Sequence, residues 1–329
     1  MSNTLNVAVA MATYNGGRFL EAQLRSILDQ TRLPEEIVIS DDGSADDTVA
    51  IAQSFRAEAK RKGIRFSVVI HKGHSGVSAN FSHAVSKTRS DLVALSDQDD
   101  LWLPNKLEIL SSLLESDPSV MMVHSDAELV DESGKPLGMT VLESLRITGG
   151  ERHNLVTGHG IKALVRRNLV TGSTSMIRRD LLARAGVVPS GWLHDEWWAL
   201  VAAMTDGLVL NPHTLGLYRQ HDDNQVGATR SGWQRLMERF AEPQAEFHER
   251  HRERHERLQA YVESPLWSGT EEAGSLIAGR LRHYQWQSTL SGSRVARIPA
   301  VLGRFLAGEY SRYRRGAFDA LRDLLQPSQ

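Results

Sequence analysis

Four apolar runs in the first hundred residues each break off at a cluster of polar residues, and this rhythm narrows the folds open to the chain. Val7-Ala8-Val9-Ala10-Met11-Ala12 is continuously apolar, as a strand buried on both faces must be. It stops at the turn cluster Thr13-Tyr14-Asn15-Gly16-Gly17, after which Phe19, Leu20, Leu24, Ile27 and Leu28 mark one stripe of a helix. Pro34 ends that pattern, and Ile37-Val38-Ile39 runs into Ser40-Asp41-Asp42-Gly43-Ser44. A helix capped near Ser44 follows, carrying Val49, Ile51, Ala52 and Phe55. Phe66 with Val68-Val69-Ile70 makes a third strand, Ser78 to Thr88 a third helix, and Leu92 to Leu95 a fourth strand. Strands alternating with helices through short links predict an α/β chain with a doubly wound, mostly parallel sheet. Such sheets bind ligands beyond the carboxyl ends of their strands, where Thr13, Asp41 and Asp97 all fall.

The fourth strand delivers Asp97-Gln98-Asp99-Asp100, three carboxylates in four positions, before Pro104 allows a helix to begin at Asn105-Lys106-Leu107. Carboxyls with unperturbed pKa of about 4 all ionise at neutral pH. One pair at about 4 Å then costs about 4 kcal/mol at an effective dielectric of about 20. A hard divalent cation with oxygen ligands resolves that repulsion. A solvated acidic turn is the reading for an isolated Asp-x-Asp; here the buried strand in front of it favours the cation.

Beyond residue 105 the rhythm changes. A helix to Leu114 precedes Val120 to Val123, then Ala127 to Val130 and the turn Asp131-Glu132-Ser133-Gly134. Residues 139 to 170, with Gly149, Gly150, Gly158 and Gly160, read as a mobile loop. Gly172 to Ile177 reads as a strand, and a helix follows from Arg179. A second helix runs from Trp192 to about Met204, and Gly207 to Leu210 and Leu215 to Tyr218 are late strands. Residues 230 to 329 are helical in pattern, with a dense charge run from Glu246 to Arg257. His251 and His255 stand one helical turn apart, the spacing of a metal pair or of a plain helix face. From Arg294 to Arg322 arginines interleave with Ile298, Val301, Leu302, Phe305 and Leu306. That is either an amphipathic surface able to touch anionic lipid or a core-packing helix with a basic outer face.

Composition sets the outer limits. At 329 residues, 41% hydrophobic and 24% charged, the chain can bury a sizeable core. A net charge of -2 gives no argument for nucleic acid, and the lack of cysteine removes disulfides, zinc thiolates and cysteine nucleophiles. No basic-then-apolar leader and no run near the roughly 20 apolar residues of a spanning helix is visible. The expectation is a cytoplasmic protein, at most peripheral at the inner face of the cell membrane.

Ala12-Thr13-Tyr14-Asn15, Asp41-Asp42-Gly43-Ser44, Asn80-Phe81, Asp97-Gln98-Asp99-Asp100, Trp102 to Leu107, His194-Asp195 and Tyr218-Arg219-Gln220-His221 occur in that order. In this the chain resembles a family 2 glycosyltransferase of the GT-A fold, in the rhamnosyltransferase-like branch that builds bacterial surface polysaccharides such as O-antigen or capsule. The resemblance covers roughly residues 5 to 227. It implies a GT-A domain over 1–228, with a nucleotide-sugar half to about 104 and an acceptor half over 105–228, followed by a helical region over 229–329. It further implies donor binding by Thr13, Tyr14, Asn15, Asp41, Asp42, Asp97 and Arg219, with Asp41 accepting the base imide N–H. Mg²⁺ or Mn²⁺ would sit on Asp99 or Asp100 with His221 near the metal or diphosphate. Asp195 matches the family's catalytic base, with Glu196 second because the usual acid before the base is replaced here by His194. Trp197 and Trp198 would wall the acceptor, although core packing also accounts for such residues. The Gln-x-x-Arg-Trp motif of processive synthases is absent. The implied activity is inverting, non-processive transfer from dTDP-rhamnose or a UDP-sugar to a glycan or lipid-linked acceptor. A sugar-phosphate nucleotidyltransferase would want a basic, glycine-rich phosphate loop after the first strand, and Thr13 to Arg18 is a poor one. A catalytically inactive sugar-binding module would have lost acids that are all present.

Overall fold

The computed structural model describes residues 4–71, 73–221 and 244–326; the expected boundary at 228/229 and the start of the helical region lie outside them. The first half runs β1 (Val7–Thr13), α1 (Gly17–Leu28), β2 (Glu36–Asp41), α2 (Thr48–Ser54), α3 (Arg56–Arg61), β3 (Arg65–Ile70), α4 (Val77–Lys87) and β4 (Leu92–Ser96). It continues through β5 (Leu101–Trp102), α5 (Lys106–Ser116), β6 (Met122–Val130), β7 (Pro136–Thr140), α6 (Val141–Ser144), α7 (Gly149–Val156) and α8 (Ile161–Leu164). Then come β8 (Ser175–Arg178), α9 (Asp180–Ala185), α10 (His194–Met204) and β9 (Leu208–Arg219). The described C-terminal helices are α11 (Gln244–Val262), α12 (Glu271–Ser288), α13 (Arg294–Leu306), α14 (Glu309–Tyr313) and α15 (Ala317–Leu325).

All the described strands join one nine-stranded sheet in the order β3-β2-β1-β4-β8-β6-β9-β5, with β7 paired to β6. β3, β2, β1 and β4 are mutually parallel, as the alternating pattern predicts. β8 runs against both β4 and β6, while β6 and β9 are parallel. The register sets Thr13 beside Asp41 and Met11 beside Ser96, so the polar residues after three strands reach one edge together. Odd and even residues of β1 enter different cores, as a period of two requires. Val7, Val9 and Met11 pack with Leu20, Leu24 and Ile27 of α1 and Leu107, Leu110 and Leu114 of α5. Ala8 and Ala10 pack with Phe81 of α4 and the tryptophans of α10.

Several local expectations change. The segment read as a mobile loop contains α6, α7 and α8. Capping boxes at Thr140 with Glu143 and Thr148 with Glu151 supply helix starts that the glycines masked. Gly172 to Thr174 form a 3₁₀ turn before β8, and the two late strands are one continuous β9. Ser44 does not cap α2, which begins at Thr48; its hydroxyl donates to Asp41 Oδ2 instead (2.6 Å).

The C-terminal helices divide into two groups. Leu258 and Tyr261 of α11 and Ala273 and Ile277 of α12 belong to the same core as α10. The Tyr261 hydroxyl donates to Arg184 O (3.0 Å) and Arg280 to Val165 O (2.8 Å). His255 is not half of a metal pair: its ring is buried flat on Tyr284 at 3.8 Å and its Nδ1 lies 2.7 Å from His251 O. The helices α13 to α15 close a small cluster of their own around Val301, Tyr310 and Ala320. Arg297 points inward and donates to Asp323 O (3.0 Å) and Gln326 O (2.8 Å). Val295 (75% exposed), Ile298, Leu302, Phe305 and Leu306 (76%) point outward, the reverse of a core helix with a basic outer face.

Candidate active site

A cavity of about 660 Å³ opens at the strand edge where β1, β2 and β4 end. Thr13, Tyr14, Asn15, Asp42, Asp97, Asp99, Asp195 and His221 all line it. Its floor on the β1 side is rigidly braced. Asn15 takes the left-handed conformation (φ 48°), which asparagine tolerates, and its Oδ1 accepts the Ala45 N–H (2.9 Å). Gln98 clamps the Tyr14 backbone at both groups, accepting its N–H (2.9 Å) and donating to its carbonyl (3.0 Å). A Cβ at Gly16 would lie 2.0 Å from Gln98 Oε1, so a side chain there would push Gln98 off its clamp on Tyr14.

Asp41 and Asp42 divide the work differently from the expectation. Asp41 is buried behind the wall, accepting from Thr13 Oγ1 (2.8 Å), Ser44 Oγ and the backbone N–H of Ser44 (2.9 Å), and does not line the cavity. Its carboxylate ties β1 to the Gly43 turn instead of facing a nucleobase; Gly43 takes φ +84° there. Asp42 is the cavity carboxylate of the pair. Burial raises its pKa, but donors from Ser75 and Gly76 and the neighbouring His74 outweigh that and hold it below the usual range. His74 stands 2.8 Å from Asp42 and lies 4.3 Å from the Tyr14 ring, a pair of aromatic faces exposed to the cavity. Sequence reasoning missed His74 and Gln98; the first sits in a polar turn, the second between acids that drew the attention.

The acid cluster splits as well. Asp99 lines the cavity, and its Oδ2 lies 2.9 Å from His221 Nε2, joining the end of β9 to the loop after β4. Burial, with the charges of Asp99, Asp100 and Asp195, pushes the Asp97 carboxyl well above its usual range. Asp100 is buried off the cavity and accepts the Arg219 N–H (3.1 Å) beside Lys106, so the metal reading does not extend to it. The Lys106 ammonium donates to Ser173 O and lies over the Trp102 ring (4.2 Å). The Arg219 guanidinium binds backbone carbonyls of Asp99 (2.9 Å) and Glu132 (2.6 Å) above Phe19, bracing the acidic loop rather than lining the cavity. Among the described residues no three His, Cys, Asp or Glu side chains form a preformed metal cluster. The crowded carboxylates, with an oxygen of Asp99 and a nitrogen of His221 at the cavity wall, are nonetheless the donor types that a hard divalent cation would take.

The first turn of α10 presents Asp195 to the same cavity. Its Oδ2 accepts the Gly172 N–H (2.9 Å) and its Oδ1 the Glu196 N–H (2.7 Å). Burial raises its pKa to about 6 despite those donors. Glu196 turns away to pair with Arg254 of α11, leaving Asp195 as the acid that faces the cavity. Trp197 and Trp198 (1% and 2% exposed) lie in the core, not on the cavity wall. Trp197 donates its indole N–H to Ala185 O (3.0 Å); the helix turns about 100° per residue, so positions past Asp195 face the sheet.

A curled, mostly parallel sheet followed by helices is the GT-A glycosyltransferase fold. It is shared with S. aureus TarS 1-349 in complex with UDP-GlcNAc (TM-score 0.57, 14% identity, 97% of this chain and 90% of that one). The mannosyltransferase PcManGT of Pyrobaculum calidifontis, in complex with GDP-Man and Mn²⁺, shares it too (TM-score 0.55, 18% identity, 98% and 85%). The family model for glycosyl transferase family 2 matches residues 8–182, more than half of the chain, and the protein belongs to that family. Sequence relatives include EpsE of Bacillus subtilis (31% identical over 134 residues, 41% of this chain and 47% of that one). The dTDP-rhamnosyl transferase RfbG of Shigella flexneri is 27% identical over 223 residues, 66% of this chain and 74% of that one. The chain spans about half the length of the first of these relatives.

Proposed function

We propose that this protein is an inverting, metal-dependent, non-processive glycosyltransferase that moves a sugar from a nucleoside-diphosphate donor to an acceptor hydroxyl. The observation that carries the reading is that Asp195 and the Asp99–His221 pair face one cavity from different elements. Thr13, Tyr14, Asn15 and Asp42 surround the nucleoside, with Tyr14 and His74 offering ring faces to its base. Asp97 faces the ribose or the donor sugar. Asp99 and His221 would hold Mg²⁺ or Mn²⁺, which when bound neutralises charge on the departing diphosphate. Asp195 takes the proton of the acceptor hydroxyl while its oxygen bonds to the anomeric carbon and the bond to the diphosphate breaks. A carboxyl titrating at about 6 suits a base working near neutrality.

The name of the relative RfbG supports dTDP-rhamnose as donor, and the TarS complex supports a UDP-sugar as the second choice. The catalytic unit is taken as residues 1–228, and the region after it carries α11 to α15 among its described residues. No helix among the described residues is long and apolar enough to cross a membrane. The outward apolar face of α13, with Arg294 exposed at its start while Arg304 pairs with Glu309, supports peripheral contact with an anionic bilayer at the cytoplasmic face. A glycan or lipid-linked acceptor would meet the enzyme there.

Calorimetric titration with dTDP and UDP, with and without Mn²⁺, tests the site. Asp195→Asn is expected to keep nucleotide binding and lose transfer by about 10²–10⁴-fold. Asp99→Ala is expected to lose the Mn²⁺-dependent part of nucleotide binding; equal titrations for it and the native chain would overturn the proposal.

A further inference from the structure

Tyr218, near the end of β9, has no task in the proposed transfer. It lines the cavity, and its phenol hydroxyl makes no hydrogen bond among the described residues. The oxygen is not sealed in protein either, so it is open to a ligand in the cavity. The ring behind it is firmly placed. Tyr218 is half-buried and packs, with Leu145, on the small apolar cluster of Ala127, Leu129 and Val141. In register it stands beside Leu129 of the parallel strand β6. Leu129, Val141 and Leu145 line the cavity too, so the hydroxyl sits at the edge of an apolar wall.

Acids surround its other sides. The next residue, Arg219, gives its backbone N–H to Asp100 Oδ1 (3.1 Å), and His221, three residues on, meets Asp99 (2.9 Å). Burial, and then the charges of Asp100, Asp97, Asp99 and Asp195, raise the phenol above its ordinary pKa. The hydroxyl keeps its proton, yet donates it to none of these carboxylates, so the proton is free for a ligand. The course of the reaction says which part of the ligand lies there. The departing diphosphate belongs at Asp99 and His221 and the acceptor at Asp195, so the transferred sugar lies between them. A hydroxyl near enough to sense both Asp99 and Asp195 stands beside that sugar.

We propose that the Tyr218 hydroxyl, with the apolar wall of Leu129, Val141 and Leu145 beside it, forms the subsite for the transferred sugar of the donor. The phenol O–H donates to a hydroxyl oxygen of that sugar. The sugar hydroxyl can then give its own proton to a carboxylate, since ionised acids only accept. The C–H face of the sugar meets the apolar wall, which its arrival removes from water. Tyr218 binds the donor sugar and takes no proton in the transfer. This rests on the reading of Asp99 and Asp195 as the two ends of the reaction.

Calorimetric titration of the native chain and of Tyr218→Phe, both with Mn²⁺, tests it. The ligands are dTDP and dTDP-rhamnose, UDP and UDP-GlcNAc, and GDP and GDP-mannose. The variant keeps the ring and its packing and loses only the hydroxyl. For whichever pair the native chain binds, Tyr218→Phe should weaken the nucleotide sugar about tenfold and leave the diphosphate unchanged. Equal affinity of the two proteins for the nucleotide sugar would overturn the subsite. An equal loss for sugar-bearing and sugar-free ligands would mark a packing role and overturn it as well. The pH limb of transfer at about 6 should stay in place, because Asp195 is untouched. A limb that moves while sugar affinity stays native would show Tyr218 acting on the acids instead, against the proposal. If the native chain binds no nucleotide sugar at all, the transferase reading falls and the subsite with it. If Asp99→Ala loses its Mn²⁺-dependent binding while Tyr218→Phe binds every ligand as the native chain does, the subsite alone falls.

Discussion

Asp195 accepts two backbone N–H groups, an arrangement that favours the carboxylate, and still titrates at about 6 because burial outweighs them. A raised acid pKa means the fold favours the protonated form, whereas a base must be ionised. The transfer rate should therefore climb as pH rises through about 6 and level off above it, about two units higher than a free aspartate would give. A pH–rate profile with saturating donor checks this, and a limb near 4 would show that another group governs the step. At this scale the sequence was informative wherever chemistry and strand ends coincide: Thr13, Asp97, Asp99, Asp195 and His221 all reach the cavity. It misled where orientation decides. Asp41 and Asp42 are neighbours on an extended turn and point to different sides. Nothing in the pair Trp197-Trp198 tells which side of the helix the sheet will occupy, and the same holds for Glu196 beside Asp195.

Among elements, α6 to α8 teach the most, because glycine content argued for a loop and capping geometry won. Thr140-x-x-Glu143 and Thr148-x-x-Glu151 were legible as helix starts; weak propensity was overridden by caps and by packing on the core. Glu151 carries more than a cap, since Arg167 donates to both of its oxygens (3.1 and 2.8 Å). Burial raises its pKa, but Arg167 and Thr148 overcome this and bring it down to about 2. A depressed carboxylate contributes stability that is present above its unfolded value of 4.5 and fades as pH falls toward 2. Thermal unfolding of Glu151→Gln should show a loss of about 3 kcal/mol at pH 7, the scale for a broken buried pair. The gap to the native chain should narrow as pH drops from about 4.5. A gap independent of pH would show that shape, not charge, is what Glu151 supplies.

For the whole molecule, the parallel half was readable from alternation, while the mixed half was obscured by bulges and by a strand, β8, set against its neighbours. Over its described residues the tail is helical, as its pattern predicts, but periodicity marks an apolar stripe and not which way it faces. With Arg297 turned in and Ile298, Leu302 and Phe305 turned out, the expected behaviour is sedimentation with phosphatidylglycerol vesicles, weakened by salt. Leu302→Glu with Phe305→Glu should abolish it and spare transfer to a water-soluble acceptor. Equal binding to neutral vesicles would argue against the arginines, and no binding at all against a lipid surface.

The helix that carries Asp195 leans on what lies far downstream: Glu196 on Arg254, Trp197 on Tyr261. A chimera that borrowed this segment and exchanged its tail would inherit the proposed base without the splint that aims it. On that proposal, exchanging Arg254 or Tyr261 of α11 should change the transfer rate while leaving every cavity residue untouched.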